Sequence, residues 1–300
     1  GINVSYTAAD IGLTTGNPAL LRPNIIRQLN ASFNAFLAGS KGYSLTGALF
    51  SEKWQTTFGG HVHFLDYGNL QNTDAAGNVM GQFRPADFVV QASASKRYLQ
   101  NWTYGLTLKF IHSAYGQFRS SALAADVGVL YQDSASRLSA AIVVKNMGAQ
   151  LKTYAGEEEE LPFDLQVGIT KRLAKAPFGF SLTAQHLQTF DILYSDTTFN
   201  QNNNVSSSST TFSKILTHLV LASHIYLGQT IEATVGYNFL RRQQLSSGTD
   251  GSGLTGFSAG LRVKFPKLQV LYARSAYQKG LASNQIGLTM QLDRLLGLGQ

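Results

Sequence analysis

Residues 102–110 read Trp-Thr-Tyr-Gly-Leu-Thr-Leu-Lys-Phe, with apolar side chains at the even positions and Thr, Gly or Lys at the odd ones. Successive side chains of a β-strand point to opposite faces, so this stretch predicts a strand with one apolar and one polar face. The same period of two recurs over 163–170, 231–239, 257–265 and 285–292. The alternation predicts an all-β protein.

The alternating segments are numerous and long. We expect fourteen strands, at 28–38, 43–51, 54–68, 86–96, 102–113, 122–133, 137–147, 162–172, 178–190, 214–226, 230–240, 254–265, 268–276 and 283–292. Strands in soluble proteins average about five or six residues, whereas a tilted membrane-spanning strand needs about nine to eleven. The expected length of most of these strands therefore favours an antiparallel transmembrane β-barrel over a soluble sandwich.

The expected connections support the same architecture. Every second connection between the expected strands is short. The long connections alternate with them and therefore lie at the opposite end of the barrel; they are 69–85, 148–161, 191–213 and 241–253. Outer-membrane barrels have short periplasmic turns and long extracellular loops, and an even number of strands places both ends of the barrel on the periplasmic side. We expect a bacterial outer-membrane protein with both termini in the periplasm.

Composition excludes several other classes. Of the 300 residues only 14% are charged, 11% are aromatic, and the mean hydropathy is −0.05. In a membrane barrel about half of the strand residues are apolar and face lipid, and the other half are polar and face the lumen. Their hydropathies cancel in the mean, so a barrel accounts for a neutral mean hydropathy with few charges. The chain has no Cys, which excludes disulfides and thiolate sites. No apolar run is long enough for a transmembrane helix, and residues 1–10 lack the pattern of a signal peptide.

The chain divides into three expected parts. Residues 1–27 lack a strand pattern and contain a turn signal at Asn17-Pro18. A fourteen-stranded barrel is too wide for side chains alone to fill, so we expect this segment to enter the lumen as a plug. Residues 28–292 form the barrel, and residues 293–300 form a short periplasmic tail.

An ordered set of motifs resembles a known family. The motifs are Asn17-Pro18-Ala19-Leu20-Leu21, Gly81-Gln82-Phe83 with Ala86-Asp87, Ala125-Asp126-Val127-Gly128, Lys145-Asn146-Met147-Gly148, Leu161-Pro162-Phe163, residues 171–177, and Gly236-Tyr237-Asn238 with Arg241-Arg242. Together they resemble the FadL-like superfamily of outer-membrane proteins and, within it, the PorV/PorQ group of the Bacteroidota type IX secretion system. Their order and spacing are most similar to the PorQ branch.

The resemblance implies a fold and a function. It implies a fourteen-stranded barrel with a lumenal N-terminal segment, working in the attachment complex that links secreted cargo to lipopolysaccharide. In this group the PorQ branch anchors the surface protein PorZ, and the PorV branch is the partner of the sortase PorU. The resemblance therefore implies a membrane anchor with a PorZ-like surface partner, in contact with other attachment-complex or translocon subunits and with outer-membrane lipids or lipopolysaccharide.

Candidate binding residues lie in the expected extracellular loops. The loop 148–161 carries Tyr154 and four consecutive carboxylates, Glu157, Glu158, Glu159 and Glu160, which can contact a basic surface or a divalent cation. Arg241 and Arg242 follow the eleventh expected strand, and their guanidinium groups suit phosphate or carboxylate partners. Interfacial snorkelling is the alternative for the two arginines.

Two features of the third expected strand are ambiguous. His61 and His63 share the polar face, which can begin a metal site or belong to a lumenal polar network; no third ligand stands at a suitable spacing. Gly59-Gly60 can weaken the strand ladder or serve barrel curvature. We expect no resident metal or cofactor.

Three functions remain open. The net charge of +7 is scattered without a basic run or nucleic-acid motif, which argues against a nucleic-acid partner. No nucleophile elbow, zinc-protease motif or phosphate-binding loop is present, so we expect a non-enzyme, with a barrel hydrolase as a remote alternative. The leading hypothesis is the anchor, and its main alternative is a FadL-type channel for hydrophobic compounds.

Overall fold

The strands of the computed structural model account for most of the chain. The model describes residues 3–154, 156, 158–192, 210–245 and 253–292. Its strands are β1 (Gln28–Ala35), β2 (Lys41–Ser51), β3 (Thr56–Asp66), β4 (Leu70–Thr73), β5 (Val79–Phe83), β6 (Ala86–Tyr98), β7 (Trp102–Tyr115), β8 (Phe118–Asp133), β9 (Leu138–Lys152), β10 (Asp164–Arg172), β11 (Phe178–Ala184), β12 (Leu219–Leu227), β13 (Ile231–Asn238), β14 (Phe257–Lys264), β15 (Leu268–Gln278) and β16 (Leu281–Gln291).

Fourteen of these strands close into one antiparallel barrel. Sequential strands pair with each other, β1 pairs with β16, and β3 pairs directly with β6 because β4 and β5 form a separate hairpin. The fourteen-stranded architecture and its pairing order are therefore as the alternation predicts. Gln28 and Gln291 lie at the end of the barrel that carries the short turns, called here the short-turn end; the opposite end is the long-loop end.

The barrel presents its apolar face to the outside. Along β7 the side chain of Leu108 is 59% exposed, whereas its neighbour Lys109, which points inward, is 7% exposed. A water-soluble barrel would bury its apolar face, so this arrangement is typical of a barrel whose outer surface faces lipid. Exposed aromatic residues lie towards both ends of the wall: Trp54, Trp102, Phe178 and Phe265 near the short turns, and Phe110, Phe163, Phe190 and Phe257 near the long loops.

The connections at the long-loop end differ from the prediction in several places. The strand expected at 214–226 begins only at Leu219, after helix α1 (Thr211–Thr217), because the Thr210 side chain caps that helix by accepting from the Ser213 amide. The strand expected to end at 240 ends at Asn238, whose side chain accepts from the Arg241 amide at the start of helix α2 (Phe239–Leu245). The strand expected to reach 190 ends at Ala184.

The 69–85 loop contains the β4–β5 hairpin, which the alternation did not predict. Four short 3₁₀ helices complete the described elements: Ile11–Thr15, Pro18–Leu20, Pro23–Ile25 and Leu37–Gly39. Of the described helices, none is long and apolar enough to cross a membrane. Most of the 191–213 loop, residues 246–252, Glu157 and the expected tail 293–300 lie outside the described residues.

Candidate functional site: the N-terminal segment and the barrel interior

Residues 3–27, called here the N-terminal segment, pack against the inner wall of the barrel. Val4 and Leu20 are buried in one apolar cluster with Leu130 of β8 and Val143 of β9. A second buried cluster combines Ile11, Leu21 and Ile25, with Ala48 of β2 packed against it. Because these partners belong to strands far apart around the barrel, the segment spans the interior. Apolar burial contributes roughly 25 cal/mol per Å² to holding it there.

Asn17 and Pro18 form the most deeply buried turn of this segment. The Asn17 side chain is fully buried; its Nδ2 donates to the Val4 carbonyl at 2.8 Å and its Oδ1 accepts from the Ala19 amide at 2.8 Å. Asn17 thereby caps the Pro18–Leu20 helix, with Pro18 at the first helical position, where its missing N–H costs nothing. The structure therefore gives this turn signal a defined role in folding the segment.

Replacing Asn17 with Ala is expected to destabilise the protein by about 1–3 kcal/mol, because a cap is lost and buried backbone groups of Val4 and Ala19 lose their partners. Urea unfolding of the detergent-solubilised protein measures the change. Asn24, in the same segment but exposed, provides the matched control as Asn24→Ala. Equal stability of the two variants would contradict this role for Asn17.

Inward-facing glycines let the turn approach the wall. A Cβ added at Gly105 of β7 would lie 2.5 Å from the Pro18 carbonyl carbon, and one added at Gly128 of β8 would lie 2.1 Å from Asn17 Oδ1. At Gly168 of β10 it would lie 2.8 Å from Val4 Cγ2. These positions tolerate no side chain while the segment stays in place, so the wall is shaped to receive this segment.

A buried charged cluster ties the start of the segment to three strands. Arg262 of β14 lies between Asp10 of the segment, at 3.2 Å, and Glu232 of β13, at 3.1 Å. Asp10 also accepts from Thr289 of β16 at 3.2 Å. All three charged side chains are buried. Each has lost its hydrating water, and the attraction of its partners compensates for that loss.

Tyr6 extends this cluster. Its hydroxyl donates to Glu232, and its ring stacks on His224 with centroids 4.2 Å apart. Burial, with the neighbouring Glu232 carboxylate adding to it, raises the pKa of Tyr6 well above its ordinary value. The phenol therefore stays protonated and remains a hydrogen-bond donor to Glu232.

Two cavities meet at this cluster. One, of about 570 Å³, opens towards the short turns, and the other, of about 530 Å³, extends towards the long loops. Tyr6 and Glu232 line both. The long-loop cavity is lined mainly by hydroxyl, amide and imidazole groups, among them Asn30, Thr46 and Gln91. Polar groups therefore line much of the interior, and Tyr6 of the N-terminal segment lies where the two cavities meet.

His61 and His63 line the long-loop cavity. His61 Nδ1 lies 2.8 Å from Thr46 Oγ1, His63 Nδ1 lies 3.1 Å from Ser44 Oγ, and the rings are parallel with centroids 6.3 Å apart. No group of three or more His, Asp or Glu side chains in the described part of the chain is placed to hold a metal ion. The geometry favours the lumenal polar network over a metal site.

The candidate binding residues of the long loops lie apart from this interior cluster. Tyr154 donates to Ser113, which in turn donates to Asp87. Glu158, Glu159 and Glu160 are exposed, while Glu157 lies outside the described residues.

Arg241 and Arg242 follow shortly after β13 and are half-buried on the helix α2, where a loop was expected. The Arg241 guanidinium lies 4.6 Å from the centre of the Tyr277 ring. This cation–π contact occupies one face of the guanidinium.

The ladder through Gly59 and Gly60 is continuous. Both residues pair with β2 on one side and with β6 on the other, so the two glycines do not interrupt the wall. The wall has fewer ladder pairs at β9, where the described ladder with β10 begins only at Lys145, paired with Asp164. Beyond it, contacts to the β9–β10 loop replace a strand: Asn146 Nδ2 donates to the Pro162 carbonyl, and the Glu159 amide donates to Gln150 Oε1.

Sequence reasoning missed the residues that hold the segment. Tyr6, Glu232 and His224 were not singled out, and neither were the inward-facing glycines. One signal was available. A glycine on the polar, inward-facing side of a long strand, as at Gly105 and Gly128, marks a place where another backbone can approach. The partnership of Asp10 with Arg262 had no local signal, because the two residues lie far apart in the sequence.

The comparisons with known proteins agree on the fold. No protein-family model matches the chain, and no curated protein matches its sequence. Among solved structures, the Pseudomonas putida toluene transporter TodX aligns with 96% of this chain and 94% of its own, at 10% identity and a TM-score of 0.54. CymD, a monoaromatic hydrocarbon channel, aligns with 97% of this chain and 94% of its own, at 11% identity and a TM-score of 0.51.

At such identities the likeness shows a common barrel fold. This agrees with the barrel fold that the resemblance of the sequence motifs implies. The finer resemblance, to the type IX secretion group, stays a prediction.

Proposed function

We propose that this protein is a bacterial outer-membrane β-barrel whose lumen is closed by residues 1–27 acting as a plug. The exposed apolar outer wall, the polar interior and the alternation of short turns with long loops support this assignment. In this orientation the short-turn end and both termini face the periplasm, and the long loops face the cell exterior.

The function best supported is a channel for small hydrophobic compounds. The observation that carries it is the alignment, over nearly the whole chain, with a toluene transporter and a monoaromatic hydrocarbon channel. The long-loop cavity presents many hydroxyl, amide and imidazole groups to such a compound. A hydrophobic compound would leave sideways into the membrane, where β9 residues 146–152 have no ladder partner on the β10 side among the described residues and Met147 and Leu151 are exposed.

Uptake of toluene by porin-depleted cells expressing the protein tests the channel. The chain has no Cys, so a cysteine pair replacing Gln150 and Glu159 would be unique. Joining this pair with a short bis-methanethiosulfonate reagent, which spans a longer distance than a direct disulfide, is expected to close this part of the wall and slow uptake several-fold, and reduction is expected to restore it. The same pair placed at Gln71 and Gln82, which are paired in the β4–β5 hairpin, is the control. Uptake no faster than in cells without the protein would contradict the channel.

The second candidate is the anchor of a surface partner in a type IX attachment complex. Besides the sequence motifs, the β4–β5 hairpin at the long-loop end favours it: Val79 is 58% exposed and Met80 is 70% exposed. A partner that covered Val79 and Met80 would remove these apolar side chains from water. Tyr154, the carboxylates of Glu157–Glu160, Arg241 and Arg242 would surround a PorZ-like partner, with lipopolysaccharide nearby.

Affinity purification of the native protein from its outer membrane in mild detergent tests the anchor. A large surface protein is expected to co-purify, and Met80→Asp is expected to reduce its recovery, whereas Gln82→Asp serves as the polar control on the same hairpin. Recovery of the barrel alone would contradict the anchor. Gene deletion separates the two candidates, since loss of an anchor mislocalises secreted proteins and loss of a channel impairs uptake.

A further inference from the structure

A groove of about 440 Å³ crosses the outer surface of the barrel from β10 to β13. Its floor lies at Ser223 of β12, a small side chain paired with Phe180 of β11 on one side and Val235 of β13 on the other. Larger apolar side chains on the same outward-facing rows form its walls: Ile169, Phe180, Leu182, Leu221, Val235 and Tyr237. The groove is thus an apolar depression in the outer surface of the barrel, which faces lipid.

A lysine closes the end of the groove nearest the short turns. Lys171 of β10 lines the groove, is exposed, and is paired with Phe180. Its Nζ donates to the Ser136 carbonyl in the β8–β9 turn. The same rim carries Arg137, which donates to the carbonyls of Leu173 and Ala174, and the exposed Lys175. Asp133 interacts electrostatically with Lys171, and one carboxylate against three cations leaves the rim positively charged.

The combination of an apolar groove with a cation at one end matches the two parts of a phospholipid. We propose that this groove binds one anionic phospholipid, with an acyl chain against Ser223 and the phosphate at Lys171. Basic residues at a membrane surface attract anionic headgroups, and each contributes about 1 kcal/mol to binding. Burial of an acyl chain in the groove also contributes to the binding free energy, and this contribution is the same for zwitterionic and anionic lipids.

The charges argue against a second copy of this chain as the occupant. A symmetric dimer formed through this face would bring the cluster of Arg137, Lys171 and Lys175 towards the same cluster of its partner, because an isologous interface uses one patch twice. Like charges placed together at low dielectric oppose such contact. A free phosphate ion would contact only the cations of the rim and would leave the apolar groove unfilled.

Native mass spectrometry of the full-length protein in detergent, titrated with phosphatidylglycerol or with phosphatidylcholine of the same acyl chains, tests the proposal. Wild-type protein is expected to bind one phosphatidylglycerol more tightly than phosphatidylcholine. Lys171→Gln is expected to weaken phosphatidylglycerol binding about fivefold and to weaken phosphatidylcholine binding less, because choline offsets the charge of its phosphate. Ser223→Leu, which fills the groove from the lipid side, is expected to weaken both.

Two control variants match these changes elsewhere on the barrel. Lys53→Gln removes a lysine from the β2–β3 short turn, and Ala92→Leu enlarges an exposed, outward-facing side chain of β6; neither is expected to change lipid binding. Heat-modifiable migration on a gel verifies that every variant folds. Unchanged phosphatidylglycerol binding in both Lys171→Gln and Ser223→Leu would overturn the proposal. So would full competition by inorganic phosphate, or a lipid-free dimer that Ser223→Leu dissociates.

Discussion

Replacing Arg262 with Met is expected to destabilise the barrel by about 3–5 kcal/mol and to loosen the N-terminal segment, because a buried ion pair that loses one partner leaves an uncompensated charge. Arg262 is the cation between Asp10 and Glu232, and all three side chains are buried. Lys264, 3.8 Å from Glu232, compensates one carboxylate only in part. Urea unfolding in detergent measures the loss of stability, and proteinase K digestion measures the release of the segment.

The control for this substitution is Arg274→Met, which removes an exposed arginine from the neighbouring strand β15 and is expected to change stability little. A triple variant separates charge from packing: adding Asp10→Asn and Glu232→Gln to Arg262→Met removes the unpaired carboxylates and is expected to recover part of the lost stability. A triple variant less stable than Arg262→Met would show that unpaired charge is not the cause.

Replacing Gly128 with Val is expected to expel the Asn17-Pro18 turn at a cost of about 3 kcal/mol or more, since the added side chain overlaps the fully buried Asn17. A Cβ at this position would lie 2.1 Å from Asn17 Oδ1, and both groups are fixed by hydrogen bonds or by the strand ladder. The barrel itself is expected to persist, because the new side chain points into the lumen and leaves the ladder of β7, β8 and β9 intact.

Gly60→Val is the matched control, because no atom lies within 4 Å of a Cβ added at that strand glycine. Proteinase K followed by mass spectrometry is expected to cut residues 3–27 in Gly128→Val and to spare them in wild type and in Gly60→Val. Equal protection of the segment in all three proteins would mean that it does not pack against Gly128.

The parts of the fold that were predictable are those encoded locally. Alternation along a strand, as at Trp102–Phe110, is a property of adjacent residues, so all fourteen barrel strands were found from the sequence. The helices α1 and α2 were not, because each spans only seven residues next to a strand, and the expected strands 214–226 and 230–240 were extended over their ends. Their caps at Thr210 and Asn238 decide between the alternatives, and a cap is a weaker signal than periodicity.

The interior was predictable only in outline. Parity places Glu232, Arg262 and Gly128 on the inner face, but it does not say which of them meet. Asp10 reaches Arg262 because the segment crosses the lumen, and that path depends on apolar packing of Leu20 and Leu21 and on the cap at Asn17. The partners are therefore set by tertiary structure, which a single sequence without local signals does not specify.

The proposed plug, residues 1–27, is expected to close the lumen. Conductance across planar lipid bilayers tests it most directly, with the intact chain compared with a chain lacking residues 1–27 whose folding has been verified by heat-modifiable migration. The intact protein is expected to stay closed, and the shortened protein is expected to show stable conductance steps because the two polar cavities become one. Equal conductance steps in both proteins would contradict the claim.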